Sequence, residues 1–144
     1  MKNLLKICSI MTALFFLFSF TSCSNNSAPT SENLVAGNTY KTTSAKKGNS
    51  ANTLTEGVDE DNYCTMVFAA SENTWTLTGT GNSMVYMTCS GTYTIDGTAL
   101  TFNITSGAMN GNTASATVSS DGSTLTWPAQ NIGSNWISAT YVKQ

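Results

Sequence analysis

The chain has 144 residues, with six lysines, no arginine and no histidine against eight acids, for a net charge of −2. So few cations cannot track a phosphate backbone, which argues against a nucleic-acid partner. The lack of histidine removes every His-dependent triad or base and the His ligands of zinc.

The first element is a targeting segment. Lys2 and Lys6 lead into an apolar run from Ile7 to Phe20. At about 14 residues it suits the core of a secretory signal and falls short of the roughly 20 that a spanning helix needs. Small residues follow, Thr21 and Ser22, and then Cys23. A small residue directly before a cysteine at the end of such a core resembles the lipobox of bacterial lipoproteins, with Phe20 where that family usually has Leu. The resemblance implies a diacylglyceryl group on Cys23 and removal of residues 1–22, including Cys8. Acyl chains of the palmitate type would then anchor the protein to the bacterial cell envelope, the outer membrane favoured over the inner, on the exported side. Each buried methylene adds about 0.8 kcal/mol to such an anchor. The alternatives are an ordinary secretory signal and a retained membrane anchor.

Residues 23–33 read as the lipidated cysteine and a flexible tether, since Ser24 to Glu32 is small and polar with one proline. Residues 34–144 read as one domain. The part from Cys23 onward carries four lysines and eight acids, net −4, and has 22 threonines against five leucines. Threonine suits a pleated, half-solvated surface, so the domain reads as all-β.

In chain order, Asn38 to Thr43 offers an opening strand and Lys46 to Ser50 a loop. Met66, Phe68 and Ala70 share one strand face, and Trp75 and Leu77 the next. Val85, Met87, Cys89, Tyr93 and Ile95 keep one parity, which predicts a long strand from Met84 to Ile95 with a bulge or bend at Gly91. Asp96-Gly97 predicts a hairpin turn. Leu100, Phe102 and Ile104 follow, then Ala114, Ala116 and Val118. Asp121-Gly122 turns the chain into Leu125 and Trp127, and a last strand carries Ile137, Ala139 and Tyr141. Seven or eight antiparallel strands with one apolar face must cover that face and protect their edges. A small antiparallel up-and-down β-barrel does both, with an open β-sandwich as the alternative. An outer-membrane barrel would need an apolar outside, and here the outside is threonine.

The run Gly91-Thr92-Tyr93-Thr94-Ile95-Asp96-Gly97-Thr98-Ala99-Leu100-Thr101-Phe102 resembles the central hairpin of lipocalin-like domains in bacterial surface lipoproteins. Leu34 to Tyr40 looks like that family's opening strand, and Asn73 to Leu77 like an early hairpin arm. The resemblance spans about Leu34 to Val142 and implies a calycin-type barrel. True lipocalins open with G-x-W, whereas Gly37-Asn38-Thr39 has threonine in the tryptophan's place. The barrel plan carries over, and an inherited ligand pocket is not implied.

Little in the chain suggests catalysis. The acids are few, and Asp96 and Asp121 belong to turns, so no pair is set up to flank a cleft. Asp59-Glu60-Asp61-Asn62 could offer oxygens to calcium but lacks the spaced ligand loop of known sites, and reads first as a charged loop. No cofactor is expected. Cys64 and Cys89 lie on apolar parities on strands that flank the Trp75 strand. Two strand spacings of about 4.8 Å exceed the roughly 7 Å Cα limit of a disulfide, so two unbridged thiols are expected. Trp75 and Tyr93 are candidate ligand contacts, although in a small barrel such side chains more often fill the interior, and Trp136, between polar residues, is the candidate partner contact. The loops Lys46–Ser50, Gly57–Asn62 and Gly107–Asn112 would carry any activity. The expected function is that of a monomeric, non-catalytic binding module held at the membrane by Cys23, at the cell surface or in the periplasm, contacting another surface protein. The alternative is a lipocalin-like carrier of a small apolar ligand.

Overall fold

β-branched and aromatic residues alternate with small polar ones in short runs from Thr39 onward, and the backbone answers with strands. The computed structural model describes residues 32–144 except Leu54, Ser83, Val85 and Tyr86. The signal segment, Cys23 and the tether up to Ser31 lie outside the described residues. The strands are β1 (Thr39–Gly48), β2 (Thr55–Glu56), β3 (Tyr63–Phe68), β4 (Thr74–Thr80) and β5 (Cys89–Asp96). They continue with β6 (Ala99–Gly107), β7 (Thr113–Val118), β8 (Thr124–Ile132) and β9 (Asn135–Lys143).

From β3 to β9 each strand pairs antiparallel with the next, and β1 pairs with both β3 and β9. The last pairing closes eight strands into an up-and-down barrel, and the short β2 covers the stretch of β1 beyond the start of β3. Closure is what separates this fold from the open sandwich. It satisfies the edges that a sheet with one apolar face would otherwise expose. The alternation is clean where it matters: β6 and β7 bury every second residue, Leu100, Phe102 and Ile104 on one and Ala114, Ala116 and Val118 on the other. Threonine, serine and asparagine face water between them.

The Asp-Gly turns form as the sequence predicts, with Gly97 at φ +57° and Gly122 at +71°. A bulge lies between Ser90 and Gly91 in the β5–β6 ladder, where a glycine in a strand signalled it. Three expectations need correction. The long strand from Met84 is shorter, since β5 begins at Cys89. Met84 N–H donates to Gly81 O and Met87 N–H to Met84 O, turn bonds that place both methionine side chains inward at a spacing of three rather than two. Lys46 to Gly48 is strand, not loop, because β1 bends at a bulge between Thr42 and Ser44 and stays paired to β9 up to Gly48. Leu34 to Asn38 is a turn rather than part of the opening strand.

That turn closes one end of the barrel. Val35 is completely buried. Asn33 Oδ1 accepts the N–H groups of Val35 and Ala36 at 3.3 and 3.2 Å, and its Nδ2 donates to Tyr93 Oη at 2.9 Å. Tyr40 Oη donates to Gly122 O at 2.7 Å, tying the β7–β8 turn to the same plug. Inside this end lies a continuous aromatic cluster. Tyr40 and Phe68 (5.8 Å between centroids), Phe68 and Tyr93 (5.0 Å), Trp75 and Phe102 (4.8 Å), and Phe102 and Trp127 (5.2 Å) pack mostly edge-on or tilted. Such pairs add about 0.5–1.5 kcal/mol each beyond their buried area.

Candidate functional site at the barrel mouth

The opposite end, here the mouth, collects the β1–β3, β4–β5, β6–β7 and β8–β9 connections. The strand parities at this end deliver Ala45, Ile132 and Ile137 inward, and the turns add Met84, Met87 and Met109. All six are buried. A cavity of about 30 Å³ remains among Ala45, Lys46, Lys47, Gly57, Met84, Met87 and Ile137. A water needs roughly 10–15 Å³ on this measure, so the space suits one or two waters. Small-molecule sites run to several hundred Å³. Gly57 lies against the methionine lining, and a Cβ there would stand 3.0 Å from Met84 Cε, so the methionine tip would have to shift by a few tenths of an ångström.

Glu56 fastens the β2 flap over the cavity. Its carboxylate accepts Ser44 Oγ–H and Ala45 N–H, both at 2.7 Å, and Val58 N–H at 3.4 Å. Partial burial pushes this carboxyl up, but those hydrogen bonds outweigh it and hold the group below its ordinary value. It therefore stays ionised at neutral pH as a structural clasp. Asp59 plays a similar part in the next loop. Its Oδ1 accepts Asn62 Nδ2, Asp61 N–H and Asn62 N–H at 2.9, 2.9 and 2.8 Å. These bonds lower its pKa, the side chain of Asn62 first. A carboxylate so occupied holds its own loop, and among the described residues no three His, Cys, Asp or Glu side chains converge as a metal site would require.

Of the residues singled out from sequence, Trp75 and Tyr93 belong to the aromatic cluster, each 2% exposed. Trp75 Nε1 donates to Thr92 O at 3.1 Å, so its polar atom is spent within the wall. Neither lines the cavity. Trp136 is half-buried and paired in register with Gly48 and Asn131, at the rim of the mouth. The loops Gly57–Asn62 and Gly107–Asn112 come to this same end, as does the segment of β1 around Lys46. Sequence reasoning missed Met84 and Met109 as mouth-closing side chains. Their spacing follows turns, and only the placement of neighbouring turn residues such as Gly81, Gly107 and Gly111 hints at it.

Cys64 and Cys89 are buried and unbridged. Burial pushes the Cys64 thiol up to about 11 and, with a contribution from Cys64, the Cys89 thiol to about 12. Tyr141, fully buried, is raised well above the ordinary phenol range by burial first and then by both thiols. Trp127 Nε1 is the one buried side-chain nitrogen or oxygen among the described residues without a hydrogen-bond partner. On the outside, Val67 and Val142 are the only large apolar side chains exposed among the described residues, and β1 separates them. They are too scattered to make an apolar docking wall. Compared with protein-family models and with curated proteins, the chain matches none.

Proposed function

We propose that the chain is an exported lipoprotein, held by lipid on Cys23, whose barrel serves as a non-catalytic interaction module. Its partner is another protein of the cell surface or periplasm, met through the loops at the mouth. One observation carries this reading: aromatic rings pack one end of the interior and the cavity at the mouth measures only about 30 Å³, while four connections and the half-buried Trp136 gather at that rim. A rigid scaffold presenting loops is the usual setting for recognition. A carrier of an apolar guest would need an interior many times emptier. The mouth lies at the end of the barrel opposite Asn33, where the chain enters it.

The test is photo-crosslinking on intact cells, with the reactive group at Trp136 and, as a control, at the exposed wall position Thr117. A discrete adduct from Trp136 alone supports the reading. Adducts equal at both positions, or an apolar ligand co-purifying with the barrel, would replace it. Separately, Cys23→Ser should abolish acylation and release the domain or trap the precursor. Mass spectrometry of the membrane fraction finding an unmodified Cys23 in the wild type would remove the lipid anchor from the proposal.

A further inference from the structure

Sulfur is distributed unevenly in this barrel. Among the described residues Met66, in register with Tyr40, is the one buried sulfur beside the aromatic cluster, whereas Cys64 and Cys89 stand at the mouth-side ends of β3 and β5, and Met84, Met87 and Met109 close the mouth above them. The two thiols come from strands separated by β4, so the flat-sheet spacing suggests that they are far apart. The ladder register says otherwise. Phe68 pairs with Trp75 on β4, while Tyr93 on β5 lies opposite Asn73, to whose carbonyl its N–H donates. That is an offset of two residues along β4, and the two rings touch, 5.0 Å apart. Cys64 pairs with Gly79 on β4 and Cys89 with Leu77, the same offset in the same direction. Strand tilt brings positions so related to one level of a barrel, on the inside of the curve. Cys64 and Cys89 therefore stand to each other as Phe68 and Tyr93 do, on the inner face of alternate strands.

We propose that Cys64 and Cys89 form a buried two-thiol site for a soft monovalent cation, Cu(I), reached through the methionine-lined mouth. Thiolate and thioether sulfur select Cu(I), which is satisfied by two or three ligands. Harder divalent ions need more donors than the interior supplies, consistent with the lack of any three-ligand His, Cys, Asp or Glu cluster among the described residues. Binding replaces both thiol protons: one Cu(I) and two thiols give an anionic dithiolate complex and two released protons, with no change of oxidation state. A buried anion needs donors. Tyr141 is in register with Thr42, whose Oγ1 accepts Cys64 N–H at 2.8 Å, so its buried phenol O–H belongs to the same level of the interior. Trp127, whose ring lies 6.2 Å from that of Tyr141, carries the unpartnered indole N–H. Met84 and Met87 line the cavity at the entrance, so thioether sulfur stands at the rim on the mouth side of the pair.

The experiment is an anaerobic competition between the full-length protein in detergent and the Cu(I) chelator bicinchoninate. The wild type should remove one equivalent of Cu(I) from the chelator and develop thiolate-to-copper absorption in the ultraviolet. Cys64→Ser and Cys89→Ser should each weaken binding by more than about 100-fold, beyond what losing an outer partner of a metal ligand costs. The double variant should take no copper, and copper that it binds with the affinity of the wild type belongs elsewhere and overturns the proposal. So does a wild type that removes no copper, or one recovered from its own envelope two hydrogens light in mass, with the pair oxidised. Where serine prevents folding, Cys64→Val and Cys89→Val keep the volume and remove the ligand, and the same loss is expected.

Discussion

Gly91 is the point at which the barrel is least tolerant of an added atom. It is buried at the β5–β6 bulge, with Trp75 opposite on β4 and Ile104 opposite on β6. A Cβ there would stand 1.9 Å from Asn103 O, 2.9 Å from Asn103 C and 3.1 Å from Ile104 Cα. All three are backbone atoms, so no side chain can swing away. Restoring ordinary contact means parting β5 from β6 by more than about 1 Å, directly beneath the Trp75–Phe102 pair. Overpacking of this kind costs about 1–3 kcal/mol, and each ladder hydrogen bond given up about 1 more, so Gly91→Ala should lose roughly 3–5 kcal/mol. Gly97→Ala is the comparison. Its Cβ meets nothing within 4 Å, but φ is +57°, so its cost is purely conformational, about 1–2 kcal/mol. For a domain of this size, each kcal/mol shifts Tm by about 3–5 °C. Urea unfolding followed by the fluorescence of Trp75 and Trp127 measures both variants. A loss for Gly91→Ala no larger than that for Gly97→Ala would refute the packing argument, because it would mean that the ladder opens freely.

Four further outcomes follow from the structure. Asp121 is held down to about 2, first by Ser119 Oγ and then by Ser123. A carboxylate depressed on folding stabilises above its unfolded value of about 3.9, and the contribution is lost as pH falls toward 2. Asp121→Asn should therefore flatten the acid limb of stability in that window, read by thermal melts between pH 5 and 2. The metal-free thiols have the opposite sign. They stay protonated in the fold while the unfolded chain ionises above about pH 8.5, so stability should drop as pH rises from there. Iodoacetamide at pH 8 should leave Cys64 and Cys89 unmodified in the native state and alkylate both in urea. Last, a native-mass and thermal-shift screen against fatty acids, retinoids, haem and short lipids should find no tight binder, and a saturable micromolar shift would return the carrier to first place.

Period-two alternation was enough to assign the interior. Met66, Phe68, Trp75, Leu77, Tyr93, Leu100, Phe102 and Trp127 all point inward as their parity predicts, and each is at least nine-tenths buried. The Asp-Gly pairs marked two of the hairpins, since positive φ is a local demand that a dipeptide can announce. Parity failed where a turn rather than a strand sets the spacing. Met84 and Met87 are three apart and both buried, so reading through them stretched β5 upstream by five residues. It failed again at β1, where Lys46 and Lys47 look like loop residues. Their strand is dictated by partners on both sides, Glu56 and Thr55 on β2 and Ser138 and Ile137 on β9. Tertiary pairing of this kind overrides composition.

The candidate sites were less legible, for a geometric reason. A sheet laid flat puts Cys64 and Cys89 two strand spacings apart, which removes a disulfide and seems to remove any joint role. Rolling the same sheet into a tilted barrel leaves the backbone separation large but turns the inner side chains of alternate strands toward one another. A bridge between the sulfurs makes demands on Cα and Cβ positions that alternate strands meet poorly. A metal ion relaxes them, because it lies between the sulfurs and lengthens their reach by two coordinate bonds. The same curvature that makes Phe68 and Tyr93 good edge-to-face neighbours therefore makes the two thiols poor disulfide partners and suitable ligands. The aromatic end spends the offset on packing, and the sulfur end leaves it available for chemistry.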